Sequence, residues 1–250
     1  LGAAGFVAEL KRIPGVKKVS VTTNGTLLPR YGRELADAGL DSVNVSLDTT
    51  DPELERGITG SSGVVDSVLE GIELMRSLGV PVKLNAVLLS ETAGTITGLA
   101  RFAAHGVPVR FIELMPMGVG KNETGLNPDK ALEILRAVWP DLHPVDARIG
   151  SGPAHYYASG RLAAPIGMID AVSHRFCASC NRVRVTSRGW LKPCLCFDEG
   201  ADLRELLRGG ASDAQLLETI RLTIYNKPRQ HCFDTPKEMT ECRLMSQIGG

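Results

Sequence analysis

Residues 16–47 read VKKVSVTTNGTLLPRYGRELADAGLDSVNVSL and carry the clearest indication of the architecture. The stretch opens with a β-branched run over Val16–Thr23 and turns at Asn24–Gly25. A helical pattern follows over Leu28–Ala38, and a second run with period-two alternation covers Ser42–Leu47. Because parallel strands need a crossover of about a dozen residues or more, this order predicts two parallel strands joined by a helix.

The same alternation continues on both sides of this stretch. A helix-like segment over Phe6–Lys11 precedes it, with no strand before that segment. Helical spacing then predicts helices over Val64–Leu78 and about Ile96–Ala104, and β-branched runs predict strands over Val80–Leu89 and Val107–Leu114. Four strands separated by helices indicate an α/β fold with a parallel sheet. A closed eight-stranded barrel is not contained in these residues.

The pattern changes after Met115–Gly118. One amphipathic helix is predicted over Pro128–Val138, and short strands and turns follow as far as Asp170. We therefore predict two domains, residues 1–118 and residues 119–250.

Composition excludes several classes of protein. The chain has 28 Lys and Arg against 28 Asp and Glu, and this zero net charge argues against a general nucleic-acid binder or a membrane-surface protein. No apolar run approaches the ~18 residues of a membrane span. The first residues lack the basic start and apolar core of a signal peptide, and the chain begins with Leu. We expect a cytoplasmic protein and a piece of a longer one.

All six cysteines lie in the last third of the chain, which favours metal or redox chemistry over a disulfide scaffold. The strongest signal is Cys177-Ala-Ser-Cys180, with Cys194 fourteen residues later. Cys-x-x-Cys spacing lets one turn of chain wrap a metal, and the following hairpin would bring the third thiol. Three thiolates suit a 4Fe-4S cluster that leaves one iron open to a ligand.

Zinc is the alternative, although a closed structural zinc site needs a fourth ligand. Cys196, His174 and His231 are candidates, and none belongs to a second Cys-x-x-Cys pair. Spacing alone supports zinc and iron–sulfur about equally, and a disulfide less well. Cys232 and Cys242 have no partner at a metal-binding spacing and are expected to be buried, inert thiols.

Polar residues accompany all four predicted strands, toward the carboxyl ends at which parallel α/β folds bind ligands. They include Thr22, Ser46, Lys83 and Arg110. Lys83 and Asn85 alternate within one strand, so both face one side and make it polar. Each such residue is more often structural by itself, but four consecutive strands with the same feature indicate a binding site.

Arg182 and Arg184 follow the Cys-x-x-Cys pair directly, and they share a face if this segment is a strand. Two guanidinium groups beside a metal suit a phosphate or carboxylate, which they can bind through paired hydrogen bonds. Taken in isolation, a solvated and charged strand edge is the more common explanation.

Six segments resemble the GTP 3′,8-cyclase family, which comprises radical S-adenosylmethionine (SAM) enzymes of molybdenum-cofactor biosynthesis. The resemblance covers essentially the whole chain, in order and with family-like spacing. The cysteine segment combined with the Gly-Gly end is specific to this family among radical enzymes. The segments are Thr22–Gly25, Val43–Asp48, Arg110–Pro116, Phe176–Arg182, Leu191–Leu195 and Gly249–Gly250.

The resemblance implies a fold and a reaction. The fold is a partial radical-SAM (βα)6-type barrel lacking its first strands, with strands three to six in residues 1–118, followed by a C-terminal iron–sulfur cluster domain. Family members cleave SAM at an N-terminal 4Fe-4S cluster, and the resulting 5′-deoxyadenosyl radical abstracts hydrogen from C3′ of GTP. The C3′ radical attacks C8 of guanine and yields (8S)-3′,8-cyclo-7,8-dihydroguanosine 5′-triphosphate. A second cluster holds the purine through its open iron.

The resemblance also implies the residues of the site, position by position. The ligands of the C-terminal cluster would be Cys177, Cys180 and Cys194. SAM would contact Ser46 and Met115. GTP would contact Thr22, Lys83, Arg182, Val183 and Arg184. The catalytic candidates are Arg110, which would lie in the same cavity, and Gly249 and Gly250, which would reach the active site where only a residue without a side chain can pass.

Two features depart from the family. Its Cys-x3-Cys-x2-Cys loop and Gly-Gly-Glu-Pro motif do not occur in this sequence, and no cysteine precedes Cys177. The N-terminal cluster is therefore expected only in the full-length protein, and this chain alone is expected to be inactive. The alternative is a truncated, catalytically incompetent fragment that retains cluster and nucleotide binding. Cys196 stands where the family usually has an aromatic or aliphatic residue, and we expect it to be inert.

The expected partners are GTP and SAM, with cyclic pyranopterin monophosphate synthase as the downstream enzyme. Neither nucleic acid nor a membrane is expected, and a homodimer is allowed. Without the family's first strands, the sheet edge at Val16–Thr23 would be unpaired and would invite aggregation.

Overall fold

The computed structural model describes residues 2–60, 63–150 and 152–248. The chain divides into two compact units. The first, here called the sheet unit, comprises Leu1–Glu113 and Gly125–Ile169. The second, here called the cysteine unit, comprises Leu114–Thr124 and Asp170–Gly250.

Seven strands form one sheet in the sheet unit. They are β1 (Ser20–Thr23), β2 (Ser42–Ser46), β3 (Val82–Leu88), β4 (Val109–Glu113), β5 (His143–Val145), β6 (His155–Ala158) and β7 (Ile166–Ile169). Their order across the sheet is β1-β2-β3-β4-β7-β6-β5. The pairs from β1 through β4 to β7 are parallel, whereas β6 and β5 are antiparallel to their neighbours. The α/β fold and the four predicted parallel strands are confirmed.

Strand β1 begins later than the β-branched run Val16–Thr23 predicts. Its first residue is Ser20, because the N–H of Val19 donates to the carboxylate of Asp41 at 2.6 Å and not to a neighbouring strand. The ammonium group of Lys11 pairs with the same carboxylate at 2.8 Å. The hydrogen bonds from Lys11 and Val19 lower the pKa of Asp41.

Among the described residues, six helices accompany the sheet: α1 (Ala3–Arg12), α2 (Leu28–Asp37), α3 (Pro52–Thr59), α4 (Val64–Ser77), α5 (Ile96–Ala100) and α6 (Pro128–Val138). The helix predicted as far as Ala104 ends at Ala100 and continues as a 3-10 turn over Arg101–His105. The apolar faces of α1, α2, α4, α5 and α6 pack with sheet residues such as Val43, Leu84 and Phe111 into one buried core. The core forms because apolar residues spaced at the 3.6-residue helical period lie on one face of each helix, and that face packs against the buried strands.

The division into units differs from the predicted boundary at residue 118. Residues 125–169 belong with the sheet, because β7 pairs in parallel with β4 from Val109–Ile166 to Ile112–Ile169 and carries β6 and β5 with it. These short strands were predicted to belong to the second domain because the strand that joins them to the sheet, β4, lies more than fifty residues before its partner β7.

Helices α2 and α4 approach closely at Gly71. A Cβ atom at this position would lie 2.6 Å from Cβ of Leu28 and 3.2 Å from the carbonyl oxygen of Gly25. Both distances are shorter than ordinary van der Waals contact, so the packing of the two helices requires a residue without a side chain here.

The cysteine unit contains the strands β8 (Arg184–Val185), β9 (Trp190–Lys192) and β10 (Ala201–Asp202), which form an antiparallel sheet in the order β10-β9-β8. Two helices follow, α7 (Leu203–Arg208) and α8 (Asp213–Tyr225). A small core, here called the thiol core, consists of the buried residues Met117, Leu195, Cys196, Cys232, Phe233 and Ile248. Among the helices that the structure describes in both units, none is long and apolar enough to cross a membrane.

A buried ion pair ties the end of the chain to strand β9. The side chains of Lys192 and Glu241 are 0 % and 1 % exposed, and the ammonium group donates both to the Glu241 carboxylate and to the carbonyl oxygen of Phe197, the latter at 2.5 Å. Arg243 donates its backbone N–H to the same carboxylate at 2.8 Å and its Nε at 2.9 Å. Burial opposes ionisation, but the hydrogen bonds from Arg243 and Lys192 outweigh it and lower the pKa of Glu241 to about 2.

Replacing Gly71 by Ala should lower the free energy of unfolding by about 1–3 kcal/mol, because the added methyl group overpacks the α2–α4 contact. Gly57 lies in the interior of α3 with nothing within 4 Å of a Cβ atom, and Gly57→Ala should be neutral or stabilising by up to about 1 kcal/mol. Urea unfolding of both variants tests the assignment. Equal effects at the two positions would contradict the close helix contact.

Glu241→Gln should destabilise the protein at neutral pH by about 3–5 kcal/mol, because it leaves the Lys192 ammonium buried without a counter-charge. A carboxyl with a depressed pKa stabilises the fold above its ordinary pKa of 4.5 and loses that contribution as the pH falls toward about 2. The difference between wild type and variant should therefore shrink over that range in denaturant titrations. Glu199→Gln, at an exposed carboxylate of the same unit, should show neither effect.

Candidate functional site

A row of polar side chains crosses one face of the sheet. The strand register places Thr22 opposite Asn44, Asn44 opposite Lys83, and Asn85 opposite Arg110. Since side chains alternate along a strand, these five residues share one face of the sheet. The prediction that Lys83 and Asn85 make one face polar agrees with this register.

The row lies inside the sheet, although the sequence analysis placed its members toward the carboxyl ends of their strands. Lys83 and Arg110 are each the second residue of their strand, and of the four predicted positions Ser46 is the one that ends a strand. The register sets Lys83 beside Asn44, the middle residue of β2, and Arg110 beside Asn85, the middle residue of β3.

Hydrogen bonds connect the row into one network. The Asn44 amide donates to the Thr22 hydroxyl at 3.2 Å and accepts from a terminal nitrogen of Arg110 at 2.9 Å. The Nε of Arg110 donates to the Asn85 side-chain oxygen, also at 2.9 Å. Two asparagines thus hold the guanidinium plane of Arg110 in one orientation, and the sequence analysis had singled out only Asn85 of the two.

The row carries two buried positive charges. Lys83 and Arg110 are each 8 % exposed, and no carboxylate pairs with either of them in the part of the chain that the structure describes. Burial, followed by repulsion from Arg110, lowers the pKa of Lys83. Burial also lowers the pKa of Arg110. Buried cations without a counter-ion are costly, and an anionic ligand would relieve that cost.

Glycines border these cations. A Cβ atom at Gly150 would lie 3.3 Å from Nζ of Lys83, and one at Gly152 would lie 3.6 Å from a terminal nitrogen of Arg110. In β7, a Cβ atom at Gly167 would lie 3.0 Å from Cγ of Arg110. Gly150 and Gly167 thus allow the backbone to approach the two cations closely, whereas a side chain at Gly152 would make ordinary contact, and the sequence alone singled out none of the three.

Ser46 lines a cavity of 320 Å³ after strands β1 and β2. Its polar lining includes Asp48, whose carboxylate accepts the N–H of Val87 at 2.7 Å and whose pKa is raised by burial. Glu55 from α3 lines it as well, 4 % exposed, with one carboxylate oxygen that has no hydrogen-bond partner among the described atoms. The cavity offers hydrogen-bond acceptors to a ligand, and Glu55 was missed in the sequence because it lies among ordinary charged helix residues.

In the cysteine unit, Cys177 and Cys180 lie on one tight turn. Cys177 begins the 3-10 turn Cys177–Ser179, and the N–H of Cys180 closes it on the carbonyl oxygen of Cys177 at 3.1 Å. The Sγ atoms accept hydrogen bonds, from the N–H of His231 to Cys177 at 3.4 Å and from the Lys227 ammonium group to Cys180 at 3.2 Å. Burial opposes ionisation of Cys180, but the N–H of Arg182 and the Lys227 ammonium outweigh it and lower its pKa.

The structure describes the three predicted cluster ligands but does not gather them into one group that could hold a metal ion. Cys177, Cys180 and Cys194 are free thiols, all half-buried. Within the described ranges, no three His, Cys, Asp or Glu side chains form a group that could hold one metal ion. A 4Fe-4S cluster binds its thiolates on separate iron atoms, and its negative charge suits the cations around these cysteines.

Arg182 and Arg184 lie beside the cysteines. Both are half-buried while Val183 between them is 41 % exposed, as the predicted alternation requires. The Arg182 guanidinium lies 4.8 Å from the ring centre of Phe176, and its buried Nε has no partner among the described atoms. Burial, then repulsion from Arg182, lowers the pKa of Arg184, whereas Cys180 and Cys194 act on it in the opposite direction. The two guanidinium groups thus form a cationic pair, in which the Nε of Arg182 is a donor still available to a ligand.

The remaining cysteines differ from expectation in one respect. Cys232 is buried, as expected, and its Sγ lies 2.6 Å from that of Cys196 within the thiol core. Cys242 is exposed, so the expectation of a buried thiol is wrong for it. Burial, together with the hydrogen bond from Cys232, raises the pKa of Cys196 to about 12, and a neutral buried thiol is a poor metal ligand.

Three predicted site residues remain. Met115 belongs to the cysteine unit, where it packs against the thiol core, whereas Ser46 belongs to the sheet unit. Gly249 and Gly250 lie outside the described residues.

Comparison with known proteins defines the class. The Radical SAM superfamily model matches residues 3–103, and the Molybdenum Cofactor Synthesis C model matches residues 107–233. The crystal structure of SuiB from Streptococcus suis bound to S-adenosylmethionine matches with a TM-score of 0.54 and 14 % identity, over 80 % of this chain and 49 % of that chain. The sheet and these matches identify a radical SAM protein with a molybdenum-cofactor-synthesis domain.

Curated relatives narrow the class to one family. The chain is 37 % identical to the GTP 3′,8-cyclase of Clostridium perfringens strain 13, over 100 % of this chain and 77 % of the relative. It is 40 % identical to that of Heliobacterium modesticaldum over 100 % and 78 %, and 39 % identical to GTP 3′,8-cyclase 1 of Pseudomonas aeruginosa over 100 % and 77 %. The chain belongs to the GTP 3′,8-cyclase family.

Proposed function

We propose that this chain forms the GTP-binding and C-terminal cluster-binding parts of a GTP 3′,8-cyclase. The reaction converts GTP to (8S)-3′,8-cyclo-7,8-dihydroguanosine 5′-triphosphate in molybdenum-cofactor biosynthesis. The observation that carries the proposal is the pair of buried cations, Lys83 and Arg110, which have no carboxylate partner among the described residues in a chain 37–41 % identical to named GTP cyclases. A nucleoside triphosphate is the kind of ligand that such cations bind.

Within the sheet unit, Lys83 would donate to GTP from a buried position that favours anion binding, and Thr22 would contribute its hydroxyl. Arg110 cannot turn freely, because Asn44 and Asn85 occupy two of its nitrogens. We assign it a catalytic role, in which a preoriented charge stabilises the reacting nucleotide without reorganisation. Ser46, at the cavity after β2, and Met115 are assigned to SAM.

Within the cysteine unit, Arg182 and Arg184 would bind the anionic part of GTP, and Val183 would contact it between them. The unpartnered Nε of Arg182 supports this role, since a buried donor gains most from an acceptor. Cys177, Cys180 and Cys194 would hold a 4Fe-4S cluster whose open iron binds the purine. Gly249 and Gly250 are assigned a catalytic role by their match to the Gly-Gly end of the family.

When bound, SAM and the N-terminal cluster of the full-length protein supply the 5′-deoxyadenosyl radical that takes hydrogen from C3′ of GTP. That cluster needs the Cys-x3-Cys-x2-Cys loop, which these 250 residues do not contain. The chain spans 77 % of the length of its Clostridium perfringens relative.

Intact mass and N-terminal peptide sequencing of the native protein test the proposal. A mass well above 26.8 kDa with that loop upstream supports a working cyclase. A native start at or near Leu1 would leave a binding module instead.

The product would pass to a cyclic pyranopterin monophosphate synthase, and a homodimer is part of the proposal. We also assign the protein to the cytoplasm, where thiols such as its six free cysteines stay reduced.

Arg182→Ala in the full-length protein should weaken GTP binding about 10- to 100-fold, because it removes one charge-assisted contact worth about 1.5–3 kcal/mol. SAM binding should stay within about twofold. Isothermal titration with each ligand gives both values, and Arg188→Ala, at an exposed arginine of the same hairpin, is the matched control. Equal losses for GTP and SAM would show that Arg182 is structural only.

Anaerobic reconstitution of this chain with iron and sulfide should give about four iron atoms per chain and substoichiometric zinc. Cys177→Ser, Cys180→Ser and Cys194→Ser should each lose most of that iron, whereas Cys242→Ser, at an exposed cysteine, should retain it. Metal analysis is the measurement. One zinc and no iron per chain would show that these cysteines form a structural zinc site and do not bind a cluster.

A further inference from the structure

Lys227 lies two residues after helix α8 and directs its ammonium group at the cysteine turn. Its Nζ donates to the carbonyl oxygen of Cys180 at 3.1 Å, to the Sγ of Cys180 at 3.2 Å and to the carbonyl oxygen of Arg182 at 2.6 Å. A lysine ammonium has three protons and no acceptor capacity. All three donors of Lys227 are therefore used on one three-residue segment.

This contact determines the local backbone. The two carbonyl groups flank Asn181, and residues 181–183 belong to no helix or strand of the structure. Without a ladder of backbone hydrogen bonds, these carbonyl groups depend on another donor. Lys227 supplies it from 45 residues away in sequence, and its own N–H is held by the carbonyl oxygen of Ile224 at 3.1 Å. The positions of the Cys180 sulfur and of Arg182 are thereby linked to the end of α8.

The charge of Lys227 is not shared with an acid. Among the described residues no carboxylate pairs with it, so it is not one half of an ordinary surface salt bridge. The ammonium group instead lies at hydrogen-bond distance from a sulfur atom. N–H···S hydrogen bonds and nearby positive charge both favour the more negative, reduced state of an iron–sulfur cluster, and so raise its reduction potential.

We propose that Lys227 is a positioning residue that holds the Cys177–Cys180 turn and Arg182 in place and raises the reduction potential of the cluster bound there. The inference rests on the proposed function, since it requires the C-terminal cluster. It adds a residue outside the family segments on which the resemblance was based.

The test compares the reconstituted wild-type chain with Lys227→Met, Lys227→Arg and Lys237→Met. Methionine keeps an unbranched side chain but removes charge and donors, arginine keeps the charge, and Lys237 is an exposed lysine of the same unit. Redox titration followed by electron paramagnetic resonance gives the midpoint potential and the signal of the reduced cluster. Iron content and far-UV circular dichroism are measured on the same samples.

Lys227→Met should shift the midpoint potential to more negative values by at least 59 mV, a tenfold change in a one-electron equilibrium, and should alter the resonance signal. Lys227→Arg should recover at least half of that shift, and Lys237→Met should match wild type. Loss of iron from Lys227→Met alone, with unchanged circular dichroism, would also support the positioning role.

Two outcomes would overturn the inference, and they are distinguishable. If wild type binds a 4Fe-4S cluster and Lys227→Met retains its iron, potential and signal, Lys227 has no such role, whereas the proposed function stands. If wild type itself binds zinc or no cluster, the proposed cluster site fails, and the inference fails with it.

Discussion

The sheet unit depends on one constraint, the register of its parallel strands. A slip of one residue between β2 and β3 would turn Lys83 and Asn85 to the opposite face, because side chains alternate along each strand. The same slip would carry buried residues such as Leu84 out of the core. The apolar face therefore determines the register, and the register brings Asn44 within 2.9 Å of Arg110, two strands away. The polar row is thus a consequence of burying the opposite face.

Each unit contains a buried lysine, and the presence or absence of a carboxylate beside it distinguishes a structural lysine from a ligand-binding one. Lys192 is fully buried and paired with Glu241, whose carboxylate also accepts hydrogen bonds from Arg243. Its charge is neutralised within the fold, so it has a structural role. Lys83 is nearly as buried, yet within the described residues its charged neighbour is Arg110 rather than an acid. A protein that keeps two like charges buried together gives up stability there, and such a cost is typical of a ligand site.

The sequence predicted local features well and long-range partners poorly. The four parallel strands and most helices followed from β-branched runs and helical spacing. Arg182 and Arg184 are both half-buried as predicted, although the strand itself begins only at Arg184. The assignment of β5–β7 to the sheet did not follow from the sequence, because a three- or four-residue strand carries too little pattern to identify its partner. Asn44 lay inside a segment already quoted, but nothing local marks an asparagine that contacts an arginine 66 residues later. Lys227 and Glu241 were missed for the same reason.

The six cysteines separate into groups by their surroundings rather than by their spacing. Cys177, Cys180 and Cys194 are half-buried, and the N–H of Arg182 and the ammonium group of Lys227 lower the pKa of Cys180. Cys196 and Cys232 lie among Met117, Leu195, Phe233 and Ile248, where burial favours the neutral thiol. Cys194 and Cys196 are two residues apart in sequence, and Cys196 is fully buried within the thiol core whereas Cys194 is half-buried and packs against it. The thiol core thus excludes Cys196 from the ligand set by packing. Ile248 is fully buried in the same core, so the last residue that the structure describes is fixed in the unit that carries the cysteines and arginines.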